Sequence, residues 1–448
     1  MPLDRRETRD WLRPGGPTCL RPDPTPQNTT MNSRSVITSS SRKAYFLLYR
    51  FGVKQMSSIP KEIRAWEIHK YAPTLDLVLE KELKLTTTRR PPLITAPCDL
   101  VVRTEAASVN PIDGYTLTGY GSKLFKLRQF FSREPKSDDF PFTPGRDFAG
   151  VVVESGPEAT ANFPPGTPVM GAFMPHASSQ GSGCLAEYIR CSSAVVARRP
   201  DKLDPVDAAA VSYAGLTAWS ALKHVGLDPA EGTSDGSKRV LVTAATGAVG
   251  AIAAQLARIA GASHVAVTCP ARVNKEDMKT KLGVDEVILA PELPSVSDTF
   301  DVIIDCVRPQ ILKDNLEHSW PKWEDVEIDK HFPLMQNLSA NPGSRYVSVN
   351  PPLFAFVDHW GLMLGIGAAF APLFRSKLHS LFYRRTSSPL RWALFEPNGK
   401  RLEMLADWVV QGRIYVPIEK VFPFDQVPEA FRKMTGRGNN GKIVVKFD

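Results

Sequence analysis

Residues Ala244–Gly250, AATGAVG, are where residue type and spacing in this 448-residue sequence point most directly to chemistry. They follow the apolar run RVLVT and open the Ala-rich stretch AIAAQLARIAG. Small residues between a strand and a helix let the backbone approach a pyrophosphate. The unpaired N–H groups and dipole of the helix start then favour its negative charge. A strand, a Gly-rich turn and a helix in this order are the context a dinucleotide fingerprint requires. An Asp or Glu at the end of the next strand would bind a ribose 2′-OH, but SHVAVTCPARVNK has no acid. Arg272 and Lys275 lie where they could meet a 2′-phosphate, so NADPH is expected ahead of NADH.

Other reactive side chains are less suggestive. Six cysteines, at 19, 98, 184, 191, 269 and 306, form no C-x-x-C pair. That argues against a zinc knuckle or a redox dithiol. In FTPGRDFAG, Phe142–Gly150, a tight Pro-Gly turn feeds a buried strand, and Arg146-Asp147 is expected to serve as an ion pair or to make turn hydrogen bonds.

The elements that would position these residues fall into two patterns. From about Arg64 the chain reads as strands: RAWEIHKY, DLVLEKEL, CDLVVRTEAASV, FAGVVVESG, PPGTPVMGAF and GCLAEYIRC. An Asn-Pro break at Asn110 precedes a short helix. After Pro200 the period changes. DPVDAAAVSYAGLTAWSALKHVG has helical spacing, with Asp204 or Asp207 able to cap it. RVLVT, SHVAVTC, VDEVIL, FDVIIDCV and SRYVSV then alternate with helices, which predicts a parallel, doubly wound sheet. NGKRLEMLADWVVQGRI is a further helix, and the closing strand GKIVVKFD is expected to rejoin the first domain.

Composition bounds the rest. With 43% apolar and 23% charged residues, the chain reads as a globular protein of two domains plus extras. Its net charge of +8 sits partly in the N-terminal region and gives no nucleic-acid footprint. Residues 1–60 are Pro- and Ser-rich and basic, with no Asp or Glu from Pro24 to Lys61. This is the pattern of a mitochondrial presequence, though set far from Met1; a disordered basic tail is the alternative. Residues 121–140 read as a basic surface loop. The stretch 359–374, HWGLMLGIGAAFAPLF, carries no charge with His359 neutral, and Arg375, Lys377, Arg384, Arg385 and Arg391 follow. Sixteen residues containing Pro372 are too short for an ordinary span. A helix covering the cleft or a dimer interface is expected; the alternative is one lying on an anionic membrane surface.

ASVNPIDGY, PFTPGRDFAGVVVESG, GCLAEYI, AAAVSYAGLTAWSAL, AATGAVG, LGVDEVI, FDVIIDCV, RWALFEPNGKRLEMLADWVVQGRI, FPFDQVPEAFRKM and GKIVV run in order from about residue 61 to the C-terminus. In them the chain resembles the medium-chain dehydrogenase/reductase superfamily. The resemblance is to its zinc-independent quinone-oxidoreductase branch, and there to mitochondrial reticulon-interacting NAD(P)H oxidoreductases and fungal relatives. It implies an α/β protein with a GroES-like β-rich catalytic domain over 61–196 and a Rossmann cofactor domain over 197–388, the insertion 359–374 included. Residues 389–448 would return to the catalytic domain, with the active cleft between the two.

The resemblance also implies roles. Thr246, Gly247, Ala248, Val249 and Gly250 would wrap the pyrophosphate, and Thr217 would sit near the nicotinamide. Zinc members carry a ligand Cys where this chain has Asn110 and a ligand His where it has Arg146. Arg is no ligand and an amide is a poor one for zinc, so no catalytic zinc is expected. In related quinone reductases an Asn and a Tyr line the nicotinamide pocket and match Asn110 and Tyr115; an amide N–H and a phenol O–H there would stabilise a developing oxyanion. Loop architecture is the competing role for both, and Asp113 reads as a turn or cap residue. Leu289-Ala290 and Arg308-Pro309 depart from the family's common Asp-Tyr and Gly-Gly, at the adenosine end and the nicotinamide rim. The function implied is NADPH-dependent reduction of a quinone or an α,β-unsaturated carbonyl, in mitochondria, with a homodimer and peripheral membrane contact as further expectations. The alternatives are a nucleotide-binding, membrane-associated scaffold on the same fold, and a cytoplasmic or peripheral-membrane location.

Overall fold

Two large sheets of different character divide the molecule, as the change of period after Pro200 requires. The computed structural model describes residues 59–124, 126, 140–174, 183–232, 236–297, 299–307, 332–382, 389–436 and 440–448. Residues 1–58 of the presequence reading, residues 125 and 127–139 of the 121–140 loop, and Arg308-Pro309 lie outside the described residues.

The first part holds β1 (Ile63–Glu67), β2 (Lys84–Arg89), β3 (Asp99–Val109), α1 (Pro111–Leu117), β4 (Asp147–Ser155), β5 (Pro168–Ala172), β6 (Tyr188–Ser192) and β7 (Val196–Arg198). β1 and β2 pair with each other, and β3, β4, β5 and β7 are neighbours in a larger sheet, with β6 also on β3. Gly150 is required where β4 crosses β3, because a Cβ there would stand 2.1 Å from the Arg103 carbonyl oxygen.

Asp204 caps α2 (Pro205–His224), its carboxylate accepting from the Val206 N–H at 2.8 Å. This helix is apolar nearly all round because it is packed on two sides. One hydrophobic cluster joins its Ala208, Leu216 and Leu222 to Ala106, Ala149 and Met170 of the first sheet and to Val240 and Ile252 beyond.

Next come β8 (Arg239–Val242), α3 (Ala248–Ile259), β9 (His264–Cys269), α4 (Lys275–Leu282), β10 (Glu286–Leu289), β11 (Val302–Asp305), β12 (Arg345–Ser348), α5 (Leu353–Trp360), α6 (Leu362–Phe382) and β13 (Leu390–Trp392). The six strands are parallel in the order β10-β9-β8-β11-β12-β13, a Rossmann order whose reversal point lies beside β8. After α7 (Gly399–Val410), β14 (Ile418–Pro423) and α8 (Val427–Thr435), β15 (Lys442–Lys446) pairs antiparallel with β3. The C-terminus thus rejoins the first sheet, as expected from the sequence.

Three expectations change. DLVLEKEL is helical, not a strand: Leu75–Leu77 and Val78–Glu82 form successive helical turns. Thr74 accepts from the Leu77 N–H, and Leu75, Val78, Leu79 and Leu83 are buried at helical spacing. The Rossmann sheet does not end before residue 389, since β13 pairs with β12 as a sixth strand. The first sheet also runs past 196, because β7 extends to Arg198.

Candidate active site and cofactor cleft

The cofactor loop is pinned between β8 and β9. The Thr268 hydroxyl accepts from the Ala244 N–H at 3.1 Å and the Thr268 carbonyl from the Ala245 N–H at 3.0 Å. Ala244 adopts φ +54°, a conformation that favours glycine, so its neighbours hold the turn in place. At Gly250 a Cβ would stand 2.5 Å from the Ala244 carbonyl oxygen, so glycine there sets how closely α3 approaches the loop. The N-cap of α3 is Gly247, which has no side chain to cap the first turn. An anion would serve the N–H groups of that turn instead.

Beside this turn lies a cavity of about 290 Å³ lined by Ala245, Thr246, Arg272, Asn274, Tyr415 and Asn440 among others. The Arg272 guanidinium donates to the Asn440 side-chain oxygen at 3.0 Å, so it is held at the mouth by the returning chain. Lys275, expected beside it, is not part of the lining. Its ammonium is bound by both Glu292 oxygens, at 2.7 and 2.8 Å. Lys281, near the end of α4, lines the cavity instead, paired with Asp277 at 2.9 Å. A glycine cap, a close helix approach, a cavity and a cation at its rim fit a nicotinamide dinucleotide.

Around Arg146 is a buried polar network. Arg146 donates to Asp113 at 2.9 Å, and both side chains are almost fully buried. Asp147 accepts from Lys442 at 3.0 Å and from the Asn110 amide at 3.2 Å. Asn110 in turn donates to Asp113 at 3.2 Å and accepts from Lys442 at 2.6 Å. Two carboxylates face two cations, so the net charge is zero, and the Asn110 amide bridges them. Burial pushes the Asp113 carboxyl up, against the pull of Arg146. The Arg146 guanidinium also lies 5.6 Å from the centre of the Tyr213 ring.

Asn110 and Tyr115 do not share a role in this arrangement. Both hydrogens of the Asn110 amide go to carboxylates, so the expected N–H toward a substrate oxygen is committed elsewhere. The loop-architecture role is the one its bonds describe: its backbone N–H donates to Asp113 at 2.9 Å and fixes the start of α1. Asp113 is the cap residue expected. Tyr115 is buried on α1, its ring 5.5 Å from that of Tyr120. Tyr120 lies within electrostatic reach of Tyr115, Tyr213 and Arg146, and burial pushes its phenol well up. Thr217 is buried one turn after Tyr213, its hydroxyl donating to the Tyr213 carbonyl at 2.8 Å.

The sequence reading missed Tyr120, Tyr213, Lys281, Asn440 and above all Lys442. The signal for Lys442 was a lysine opening an apolar strand, KIVV. A further buried carboxylate, Asp305 at the end of β11, accepts from Thr243 at 2.6 Å and Tyr346 at 3.0 Å. Among the described residues five cysteines are free, and no group of three His, Cys, Asp or Glu is placed to hold a metal. Burial pushes the Cys269 thiol up to about 11 and those of Cys184, Cys191 and Cys306 up as well.

Comparison with known proteins agrees with this architecture. Residues 96–201 match the family described as "Alcohol dehydrogenase GroES-like domain" and residues 282–445 the one described as "Zinc-binding dehydrogenase". The chain is 32% identical over 404 residues to "NAD(P)H oxidoreductase RTN4IP1, mitochondrial" of Mus musculus, covering 88% of this chain and 91% of that one. It is 30% identical to "Quinone-oxidoreductase QR1, chloroplastic" of Triphysaria versicolor, over 78% of this chain and 89% of that protein. The solved quinone oxidoreductase of Coxiella burnetii superposes with a TM-score of 0.62 at 25% identity, covering 86% of this chain and 99% of that one. The chain belongs to the medium-chain dehydrogenase/reductase family and is an NAD(P)H-dependent oxidoreductase within it.

Proposed function

We propose that this oxidoreductase uses NADPH to reduce a quinone or an α,β-unsaturated carbonyl, without zinc and in mitochondria. The observation that carries the reading is the Arg146 network. Where zinc members of the resembled family hold ligands, this chain has an amide and a guanidinium, both hydrogen-bonded within a pair of carboxylates that Arg146 and Lys442 neutralise. A metal ion there would have to displace two organic cations from a closed set of bonds.

When bound, the nicotinamide supplies hydride to the acceptor. The residues of the chain do the rest. The first turn of α3 holds the pyrophosphate, and Arg272 favours a 2′-phosphate at the cavity rim. Tyr115 donates its phenol hydrogen bond to the acceptor oxygen and stabilises the charge that develops on it, in surroundings where burial strengthens that bond. Asn110 acts as a positioning residue, holding α1 and hence Tyr115 against the network. The mitochondrial reading is supported by relatives named mitochondrial and by the acid-free basic stretch from Pro24 to Lys61.

Turnover of NADPH and NADH with 1,2-naphthoquinone and a 2-enal tests this. NADPH turnover that survives a zinc chelator is expected. If neither acceptor is turned over while NADPH still binds, the reductase reading fails and a nucleotide-binding scaffold replaces it. Tyr115→Phe is expected to lower kcat about 100-fold with KM little changed; full activity would remove its role. Localising tagged protein with and without residues 1–60 tests the compartment.

A further inference from the structure

Helix α6 is built inside out. On an ordinary surface helix the large apolar residues face inward. Here the residues turned toward the protein are small: Gly365, Ala368, Ala369, Pro372 and Ser376 are buried. Gly365 meets α5 so closely that a Cβ would stand 2.5 Å from the Phe356 carbonyl oxygen. The large apolar residues face solvent: Met363 is 84% exposed, Phe374 63% and Phe370 45%. At 100° per residue, Met363, Phe370, Phe374 and Leu378 fall in one stripe about 80° wide, centred near Gly367. Arg375 and Lys377, both exposed, fall on its opposite sides.

We propose that this face of α6 docks on an anionic lipid bilayer. Its charge selects that occupant. From His359 to Phe395 the sequence has no acidic residue, while Arg375, Lys377, Arg384, Arg385 and Arg391 give it five positive charges. A second copy of the same face would bring Arg375 and Lys377 against their own copies, whereas anionic headgroups neutralise them. An apolar stripe between two cations is the arrangement of a helix lying in the interface plane, its large side chains among the acyl chains and its cations at the headgroups. No described helix is long and apolar enough to cross a membrane. The buried side of the α5–α6 pair packs on Tyr115 and Tyr120 through Phe356, Ala368 and Ala369, so docking would hold that cluster against the bilayer. The inference needs no catalytic role for Tyr115.

Gly367 allows a test that spares the fold, because a Cβ added there meets nothing within 4 Å. Full-length wild-type, Gly367→Glu and Gly367→Leu proteins are floated with vesicles of phosphatidylcholine alone or with 30% cardiolipin (~30%, a strongly anionic surface). Wild type is expected to bind the anionic vesicles at least tenfold more tightly than the neutral ones. Gly367→Glu should weaken that binding at least tenfold, and Gly367→Leu should strengthen it severalfold. Arg375→Glu with Lys377→Glu should abolish the preference for anionic lipid. Unchanged NADPH binding shows that each variant is folded. Equal binding by all three Gly367 forms overturns the proposal, as does a dimer in lipid-free buffer that Gly367→Glu converts to monomer.

Discussion

Lys442 shows how a single residue can govern the site. It sits at the head of KIVV, whose next three residues are buried, and its ammonium is bound by Asp147 and Asn110. Removing one member of a buried ion pair leaves its partner charged and unpaired, which costs about 3–5 kcal/mol. Lys442→Met should lower stability by that amount, and adding Asp147→Asn should restore most of it, as denaturant titration of the two variants would show. If the single substitution is tolerated, the network is not the closed set of charges described above. The sequence exposed one half of this. Asn110 and Arg146 stand out as departures from a zinc site, and Arg146-Asp147 reads as a candidate ion pair. Each residue of that pair in fact bonds to a different partner, Arg146 to Asp113 and Asp147 to Lys442. The pairing was hidden because Lys442 lies 332 residues from Asn110, and no local pattern encodes such a distance.

The proposed preference for NADPH rests on the turn between β9 and α4. The sequence places two cations, Arg272 and Lys275, after the strand, and both read equally well as partners for a phosphate. The helix separates them. Lys275 is the first residue of α4, and Glu292 draws it away by accepting at both oxygens, while Arg272 stays in the preceding turn at the cavity. Charge-assisted hydrogen bonds to a phosphate contribute about 1.5–3 kcal/mol, which is roughly 10–100-fold in affinity. Arg272→Ala should therefore raise the Kd for NADPH by that factor and leave NADH binding nearly unchanged. Lys275→Ala should change neither. Titration by cofactor fluorescence distinguishes them, and equal losses for both variants would return Lys275 to the pocket. Elements with a long period were legible, as α2, α3 and the β8–β12 strands show. Short ones were not. β13 is three residues with no period to read, and DLVLEKEL carries both an alternating and a helical pattern until its Thr74 cap decides for the helix.

At the scale of the whole molecule, the returning chain makes the cleft a shared structure. Tyr415, Pro417 and Asn440 follow the Rossmann strands in sequence, yet they line the cavity with Arg272 and Thr246. Gln255 of α3 locks this return in place, its amide donating to the Tyr415 carbonyl at 2.9 Å and its oxygen accepting from the Tyr415 N–H at 2.7 Å. The order of the two sheets could be read from the change in period, and so could the return of the last strand. That the return would furnish one wall of the cofactor cavity could not, because the wall is made where two distant segments meet. A ligand held by both should stabilise both: at 100 times its Kd, NADPH adds about 2.7 kcal/mol to the native state. Hydrogen exchange should then slow over Arg272–Leu282 and equally at Tyr415, Val416 and Asn440, although the latter lie more than 130 residues away in sequence. Protection confined to residues 244–282 would show that the cofactor rests on the Rossmann sheet alone. The cavity wall contributed by the return would then be a boundary of the cleft and not part of the binding site.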